Sequence, residues 1–309
     1  MSKERILITG GAGFIGSNIA DVFVKKGHKV VIIDNLSRGT KKNVNKNAKF
    51  YQVDILSSRL KGIFHKEKPD ILIHNAAQIN VRESNLNPKL DARINILGSI
   101  NLFKIAAKAG VKKIIYASSG GAVYGEPKYL PVDETHPIEP FSPYGASKYS
   151  AELYLKYFSK IAGFSYVILR YSNVYGPRQD PKGEAGVISI FIDKLLNKER
   201  PVIFGDGKQT RDFVSVFDVA KANYLAYEFN KNGIFNIGTG KETSVLEIFK
   251  KLKKTLKIDI KPQFVPAVPG EVRRIYLNTK KAKKFLKFEP KINLEKGLKM
   301  TIDWIKKNF

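Results

Sequence analysis

Along the first half of the chain, apolar residues come in short dense bursts separated by longer segments in which they recur every three to four positions. The bursts are 5-RILIT-9, 29-KVVIID-34, 49-KFYQVD-54, 70-DILIHNAA-77 and 112-KKIIYASS-119. Such near-continuous hydrophobicity is that of strands covered on both faces, not of a half-exposed sheet. Between them, 14-FIGSNIADVFVKKG-27 and 87-NPKLDARINILGSINLFKIAAKAG-110 carry the helical period, and each ends in Gly, as helix C-termini often do. The alternation predicts an α/β fold: a doubly wound parallel sheet with right-handed crossovers and helices on both sides. Two later bursts, 165-SYVILRYSN-173 and 234-IFNIG-238, are expected to extend the same sheet.

Beyond residue 173 the pattern loosens. Residues 174–211 are rich in Gly, Pro and charge, and 262-PQFVPAVPGEVRR-274 reads as a Pro-rich crossing segment before the last helices. The expected division is one lobe from 1–173 and 212–240, and a second, discontinuous lobe from 174–211 and 241–309.

With 309 residues the chain can bury a large core. Its longest apolar runs are far shorter than the roughly 20 residues that span a bilayer, and 1-MSKERILITGG-11 leads into a strand rather than an export signal. A cytoplasmic protein without membrane contact is expected. There is no Cys, and His28, His65, His74 and His136 show no ligand spacing, so no metal is expected. Net charge is +26, and residues 241–309 hold 19 Lys and Arg against 7 Asp and Glu. Those lysines fall on helical patterns such as 246-LEIFKKLKKTLK-257, with Leu246, Phe249, Leu252 and Leu256 inward. No interleaved aromatic ladder accompanies them, so a nucleic-acid partner is not expected. A positive field would still attract a small anionic substrate.

The first burst leads into chemistry. In 6-ILITGGAGFIGSNIADVF-23, Gly10, Gly13 and Gly16 lie between a strand and a helix. Glycines there let backbone N–H groups approach a pyrophosphate, which rests on the positive end of the helix dipole. Asp34, closing the second strand, can accept hydrogen bonds from a ribose 2′-OH but repels a 2′-phosphate, which favours NAD over NADP. Arg38 is a counter-signal. Asp54 after the third strand is placed either to touch an adenine or to form a turn, and 75-NAAQ-78 closes the fourth strand near the middle of the cofactor.

A helix is expected from 143-PYGASKYSAELYLKYFSKIAG-163, with Pro143 in its first turn. Tyr144 and Lys148, at i and i+4, share one face. A free tyrosine has a pKa of about 10, too high for a base at neutral pH. An ammonium ~4 Å away, at an effective dielectric of ~20, contributes roughly 4 kcal/mol, or about three pKa units. That would bring a phenolate into working range.

With 9-TGGAGFIGS-17, 34-DN-35, 54-DI-55, 74-HNAAQ-78, 95-NILGSINL-102, 118-SSGGAVYGE-126, 144-YGASK-148, 170-RYSNVYGPRQ-179 and 211-RDFVSVFDVA-220, the chain resembles the NAD-dependent nucleotide-sugar epimerases and dehydratases of the extended short-chain dehydrogenase/reductase family. The resemblance spans nearly the whole length. It implies a Rossmann-type sheet holding NAD, a smaller discontinuous C-terminal lobe binding a nucleoside diphosphate sugar, and homodimers formed through helices at about 87–109 and 144–162. It places Phe14 and Ile15 along the pyrophosphate and Asp34, Asn35 and Ser37 at the adenosine ribose. Asp54 and Ile55 would flank the adenine; Ala76, Gln78, Asn95 and Ser118 would lie toward the nicotinamide. Tyr144 would be the base, and Lys148 would depress its pKa and bind the nicotinamide ribose. Asn173 is implied at the diphosphate, Val187, Ile203 and Phe204 in the nucleotide pocket, and Arg211 at a phosphate. Glu271 is implied at the substrate through the pair Gly270–Glu271. The Arg that often precedes that pair is replaced by Val268–Pro269, so Arg273 or Arg274 is expected to compensate.

The stretch 118-SSGGA-122 decides between reactions. Counted from 123-VYG-125, the hydroxyl partner of the tyrosine falls on Gly120; counted from Tyr144 it falls on Ser119. Ser119 is favoured, with Ser118 left open. Dehydratases that the chain resembles carry an Asp–Glu pair just before V-Y-G, and decarboxylating relatives a Glu. Here Gly121–Ala122 offer no ionisable group, which leaves reversible oxidation at C4. The expected activity is a UDP-hexose 4-epimerase interconverting UDP-glucose and UDP-galactose. The alternatives are a UDP-glucuronate or UDP-N-acetylglucosamine 4-epimerase, or a non-catalytic NAD-binding or nucleic-acid-binding protein. The position gating bulk at the sugar falls near Ile275.

Overall fold

The computed structural model describes residues 3–181, 186–267 and 272–309. Six strands are β1 (Arg5–Thr9), β2 (Lys29–Asp34), β3 (Lys49–Gln52), β4 (Ile71–His74), β5 (Lys113–Ser119) and β6 (Ser165–Tyr171). With Gly233–Ile237 they form one parallel sheet in the order 233–237, β6, β5, β4, β1, β2, β3. The expected α/β doubly wound sheet is therefore present. The chain order reverses between β1 and β4, and a crevice for ligands opens at the carboxyl ends of strands at such a reversal.

Covering helices are α1 (Phe14–Lys25), α2 (Leu60–Glu67), α3 (Val81–Leu86), α4 (Pro88–Ala92), α5 (Gly98–Lys108) and α6 (Pro143–Ala162). Alternate strand residues feed two separate cores. Ile6, Ile8, Ile32 and Ile73 pack with Ile19 and Phe23 of α1 on one face. Leu7, Val31, Ile33 and Leu72 pack with Leu102 and Phe103 of α5 and Leu155 of α6 on the other. Burial of each such side chain contributes about 1.5–3 kcal/mol. Only β3, at the sheet's edge, lacks fully buried residues.

The helix predicted over 87–110 is divided. Between α4 and α5 lies a π-turn, Arg93–Leu97, and helices often carry such turns at functional positions. The burst 165–173 also divides: β6 ends at Tyr171, and Asn173–Tyr175 pairs with Phe213–Ser215 in a separate two-stranded sheet.

Later helices are α7 (Val187–Leu196), α8 (Val216–Glu228), α9 (Val245–Leu256), α10 (Lys280–Leu286) and α11 (Leu294–Asn308). α8 lies against α1, whereas α7, α9 and α11 enclose a third core with Tyr175, Ile203 and Phe213. On α9 the fully buried positions are Val245, Ile248, Phe249 and Leu252, with Leu246 and Leu256 at the margin, one step from the predicted face. Among the described residues, no helix is long and apolar enough to cross a membrane.

Candidate functional site

The glycine turn after β1 is built by close packing. Gly10 has φ +69°, and a Cβ there would lie 2.8 Å from the Ala76 amide nitrogen. A Cβ on Gly16 would lie 2.2 Å from the Gly10 carbonyl oxygen. The turn thus presses α1 against the ends of β1 and β4, where the strand order reverses. Gly13 is the N-cap of α1 and gives no side-chain cap, and the first turn contains no acid. Phe14 and Ile15, both half-buried, therefore begin a helix whose first amides have no built-in anion. Asp34 is 8% exposed and accepts from the Ala12 N–H at 3.0 Å and the Leu36 N–H at 2.8 Å.

Next to it, Asn35 donates to Asp54 Oδ2 at 2.7 Å and accepts from the Ser37 N–H at 3.0 Å. Asp54 also accepts from the Leu56 N–H at 2.7 Å, so it makes the turn that was one of its two readings. A cavity of about 420 Å³ adjoins it, lined by Leu56, Ser57, Leu90, Arg93 and Ile94. None of these five was singled out in the sequence. Ile55 is 6% exposed, its side chain joins the core and its carbonyl accepts from Asn101 at 2.7 Å.

At the end of β4 the side chains Gln78 and Asn95 do not line an open site. Asn95, in the π-turn, accepts from the Gln78 N–H at 2.8 Å and donates to the Gln78 carbonyl, Asp91 and Ser147 at 3.0–3.1 Å. Gln78 folds back onto Asn80 and Asp91. Both therefore hold backbone in place, and the side-chain contacts expected of them are corrected accordingly. Asn75 differs. Its Nδ2 and Oδ1 are buried with no partner among the described residues. An unpaired buried amide is costly, and this one sits beside the Gly10–Ala76 contact. The cradle at Gly10 and Gly16, the uncapped helix and this amide together fit a dinucleotide.

Helix α6 starts with Ser142, whose Oγ accepts from the Gly145 N–H at 3.1 Å, followed by Pro143. Ser119 stands near enough to Tyr144 to favour its phenolate, while Ser118 donates to Glu152 at 2.6 Å inside the core. Of the two serines, Ser119 is the one beside Tyr144. The hydroxyl of Ser118 is committed elsewhere, which corrects its expected place toward the cofactor. Lys148 is 3% exposed, and its Nζ stands 4.4 Å from the centroid of the Tyr116 ring.

The expected depression of Tyr144 does not hold in this state. Burial pushes its hydroxyl up to about 12, against the pull of nearby Ser119 and with Asp91 adding to the rise. Burial likewise pulls Lys148 down to about 7, against the charges of Glu152 and Asp91. Desolvation, left out of a simple charge-pair calculation, sets the direction of both shifts.

Gly120 is closed in: its N–H donates to the Tyr171 carbonyl at 2.7 Å, and a Cβ would lie 2.6 Å from the Leu277 side chain. Gly121 is open, its nearest neighbour being Asn173 Oδ1 at 3.6 Å from a built Cβ. Exposed Asn173 thus faces the glycine stretch. Across the cleft, half-buried Phe204 lies under Arg82 of α3 at 5.2 Å, and Val187 opens α7. Ile203 is fully buried in the third core and cannot offer its side chain to a ligand. Ile275, at 3% exposure, packs with Val123, Tyr124 and Leu277. Arg211 donates to the Thr210 carbonyl, next to Asp212, which accepts from Thr239 and Gly240. Arg273 and Arg274 already pair with Asp206 and Glu242. Glu271 lies outside the described residues.

Residues 6–238 match the model of the NAD dependent epimerase/dehydratase family. The chain belongs to this family. As a family member it is 54% identical to a protein of Methanocaldococcus jannaschii, over 98% of this chain and 99% of that one. It is 39% identical to the UDP-glucose 4-epimerase of Mycolicibacterium smegmatis, over 98% of each. Among solved structures, that of UDP-glucose 4-epimerase with UDP-glucose from Thermotoga maritima superposes with a TM-score of 0.96 at 48% identity. That match covers 98% of this chain and 99% of the other.

Proposed function

We propose that the chain is an NAD-dependent UDP-glucose 4-epimerase, interconverting UDP-glucose and UDP-galactose. The observation that carries the reading is Ser119 standing beside buried Tyr144, next to a stretch, Gly120–Ala122, that has no ionisable side chain. The names of the Mycolicibacterium and Thermotoga relatives support the choice of sugar.

The residues that would hold NAD are the amides after Gly13 at the pyrophosphate, Asp34 and Asn35 at the adenosine ribose, and Lys148 at the nicotinamide ribose. The chemistry that bound NAD supplies is reversible hydride transfer at C4. Tyr144 takes the proton of the 4-hydroxyl, and the neighbouring Ser119 hydroxyl helps to pass it. Since Tyr144 alone is held near 12, the working phenolate needs positive charge beside it, and Lys148 one helical turn away is placed to provide it. The 4-keto sugar then turns over within the cleft. Tyr144 holds that proton and returns it to the 4-oxygen of the inverted sugar, so the overall reaction is redox-neutral.

Asn173, Arg211, Val187 and Phe204 are the groups proposed to hold the nucleoside diphosphate, Asn173 from the edge of the Rossmann lobe and the others from a lobe built from 174–211 and 241–309. The third core formed by α7, α9 and α11 supports that second lobe, while Ala282 and Leu286 of α10 pack with the sheet's core. A cytoplasmic homodimer is the proposed working form, supported by exposed Leu97, Leu153, Tyr154, Tyr157 and Ile161 along the helices expected to pair. Tyr144→Phe tests the reading: turnover should fall on the order of 10²–10⁴-fold while NAD stays bound. Near-wild-type activity would sink it. A panel of UDP-sugars assayed without added reductant decides between glucose, glucuronate and N-acetylglucosamine.

A further inference from the structure

Lys148 is nearly fully buried, and among the described residues its ammonium meets no hydrogen-bond acceptor. Nζ itself is not among the buried atoms left without a partner, so it keeps an opening to solvent. What it meets is the face of Tyr116, with Nζ 4.4 Å from the ring centroid, well inside the ~6 Å reach of a cation–π contact. The ring is held from several sides. It packs against His74 at 5.5 Å and Phe103 at 6.2 Å between centroids, and its hydroxyl reaches the Lys148 carbonyl at 3.4 Å. His74 is itself fixed by Thr9 at 2.8 Å and Ser99 at 3.0 Å. The seat is thus tied to β1, β4 and α5 at once.

We propose that Tyr116 is a positioning residue for the reaction: the face of its ring seats the Lys148 ammonium and fixes where that charge stands relative to Tyr144. The proposal rests on Tyr144 and Lys148 being the redox pair. Tyr116 is not a second base, because at 1% exposure burial drives its hydroxyl well above the ordinary range. The charged and titratable groups facing Lys148 are Tyr144 and Glu152 on α6, Asp91 on α4, His74 on β4 and Tyr116 itself on β5. His74 stays neutral, held down to about 3 by burial. The two acids favour the ammonium, but neither gives it a hydrogen bond.

Replacing residue 116 with phenylalanine carrying zero, one, two or three ring fluorines drains the ring face of negative charge with little change of shape. In NAD-loaded full-length protein, the Lys148 titration is followed by the 13Cε signal of labelled lysine, and the alkaline limb of kcat/KM is recorded beside it. Tyr116→Phe should keep the titration midpoint, and the fluorine series should lower it stepwise. Tyr116→Leu should lower it by about one pH unit, with the alkaline limb following. A midpoint that stays flat across the fluorine series overturns the proposal, as does a Phe variant that shifts as far as Leu. The NMR titration needs no turnover. A series that moves in a protein with no epimerase activity would therefore strike the proposed function and leave the ring seat standing.

Discussion

Ser118 and Ser119 are adjacent on β5, yet only Ser119 meets Tyr144; Ser118 donates to Glu152 at 2.6 Å in the core. Their alanine variants should therefore fail in different ways. Ser119→Ala should lower kcat by about 10–100-fold with little change in unfolding midpoint, because it removes a partner in proton transfer. Ser118→Ala should cost about 1–3 kcal/mol of stability by depriving a buried carboxylate of a donor. Steady-state rates and urea titrations of both variants check this.

Glu152 and Arg170 form an ion pair at 2.7 Å with both side chains almost wholly buried. Arg170 also donates to Tyr124, which donates to Asn236, tying α6 to the loop after the glycines. Glu152→Gln leaves the guanidinium uncompensated and should cost about 3–5 kcal/mol, whereas replacing both partners with apolar residues should recover much of it. Chemical denaturation of the single and double variants separates the two cases.

Gly16→Ala would place its methyl 2.2 Å from the Gly10 carbonyl oxygen, which is backbone and cannot swing aside. The expected outcome is loss of retained NAD, measured by the absorbance of cofactor released on denaturing the purified protein.

Lys148→Met should raise stability at neutral pH. The folded chain releases the Lys148 proton at about 7, the unfolded chain at the ordinary value of 10.5. The unfolded state therefore holds more protons between those values, and wild-type stability rises with pH across that window. The gain from Lys148→Met should be greatest at and below pH 7, on the order of a few kcal/mol, and fade toward pH 10.5. Paired unfolding curves from pH 6 to 10.5 test the sign.

Exposed Leu153, Tyr157 and Ile161 recur every four residues on α6. Ile161→Glu should convert a dimer to a monomer at micromolar concentration without changing the far-UV spectrum. Light scattering after size exclusion reads the outcome.

What was legible in the sequence was local. Gly10, Gly13 and Gly16 announce the turn by spacing, Asp34 by its place at a strand end, and Tyr144 with Lys148 by the helical period. What was not legible depends on partners far along the chain. The π-turn that aims Asn95 at Gln78 lies inside an unbroken helical pattern. Ile203, implied in the nucleotide pocket by the family resemblance, is buried by α7, α9 and α11. Tyr116 looked like core and is core; its role toward Lys148 depends on a contact 32 residues away in sequence. Glu152 did leave a trace, since it follows Lys148 by the same four residues that separate Lys148 from Tyr144.

The contrast between Gly120 and Gly121 bears on how readily this chain could acquire another chemistry. Leu277 bars any side chain at 120, but nothing crowds position 121, and Ala122 already carries a Cβ. The backbone would therefore admit the acidic pair on which water-eliminating relatives depend. The lack of an ionisable group at 121 and 122 is thus a matter of composition and not of space in the scaffold.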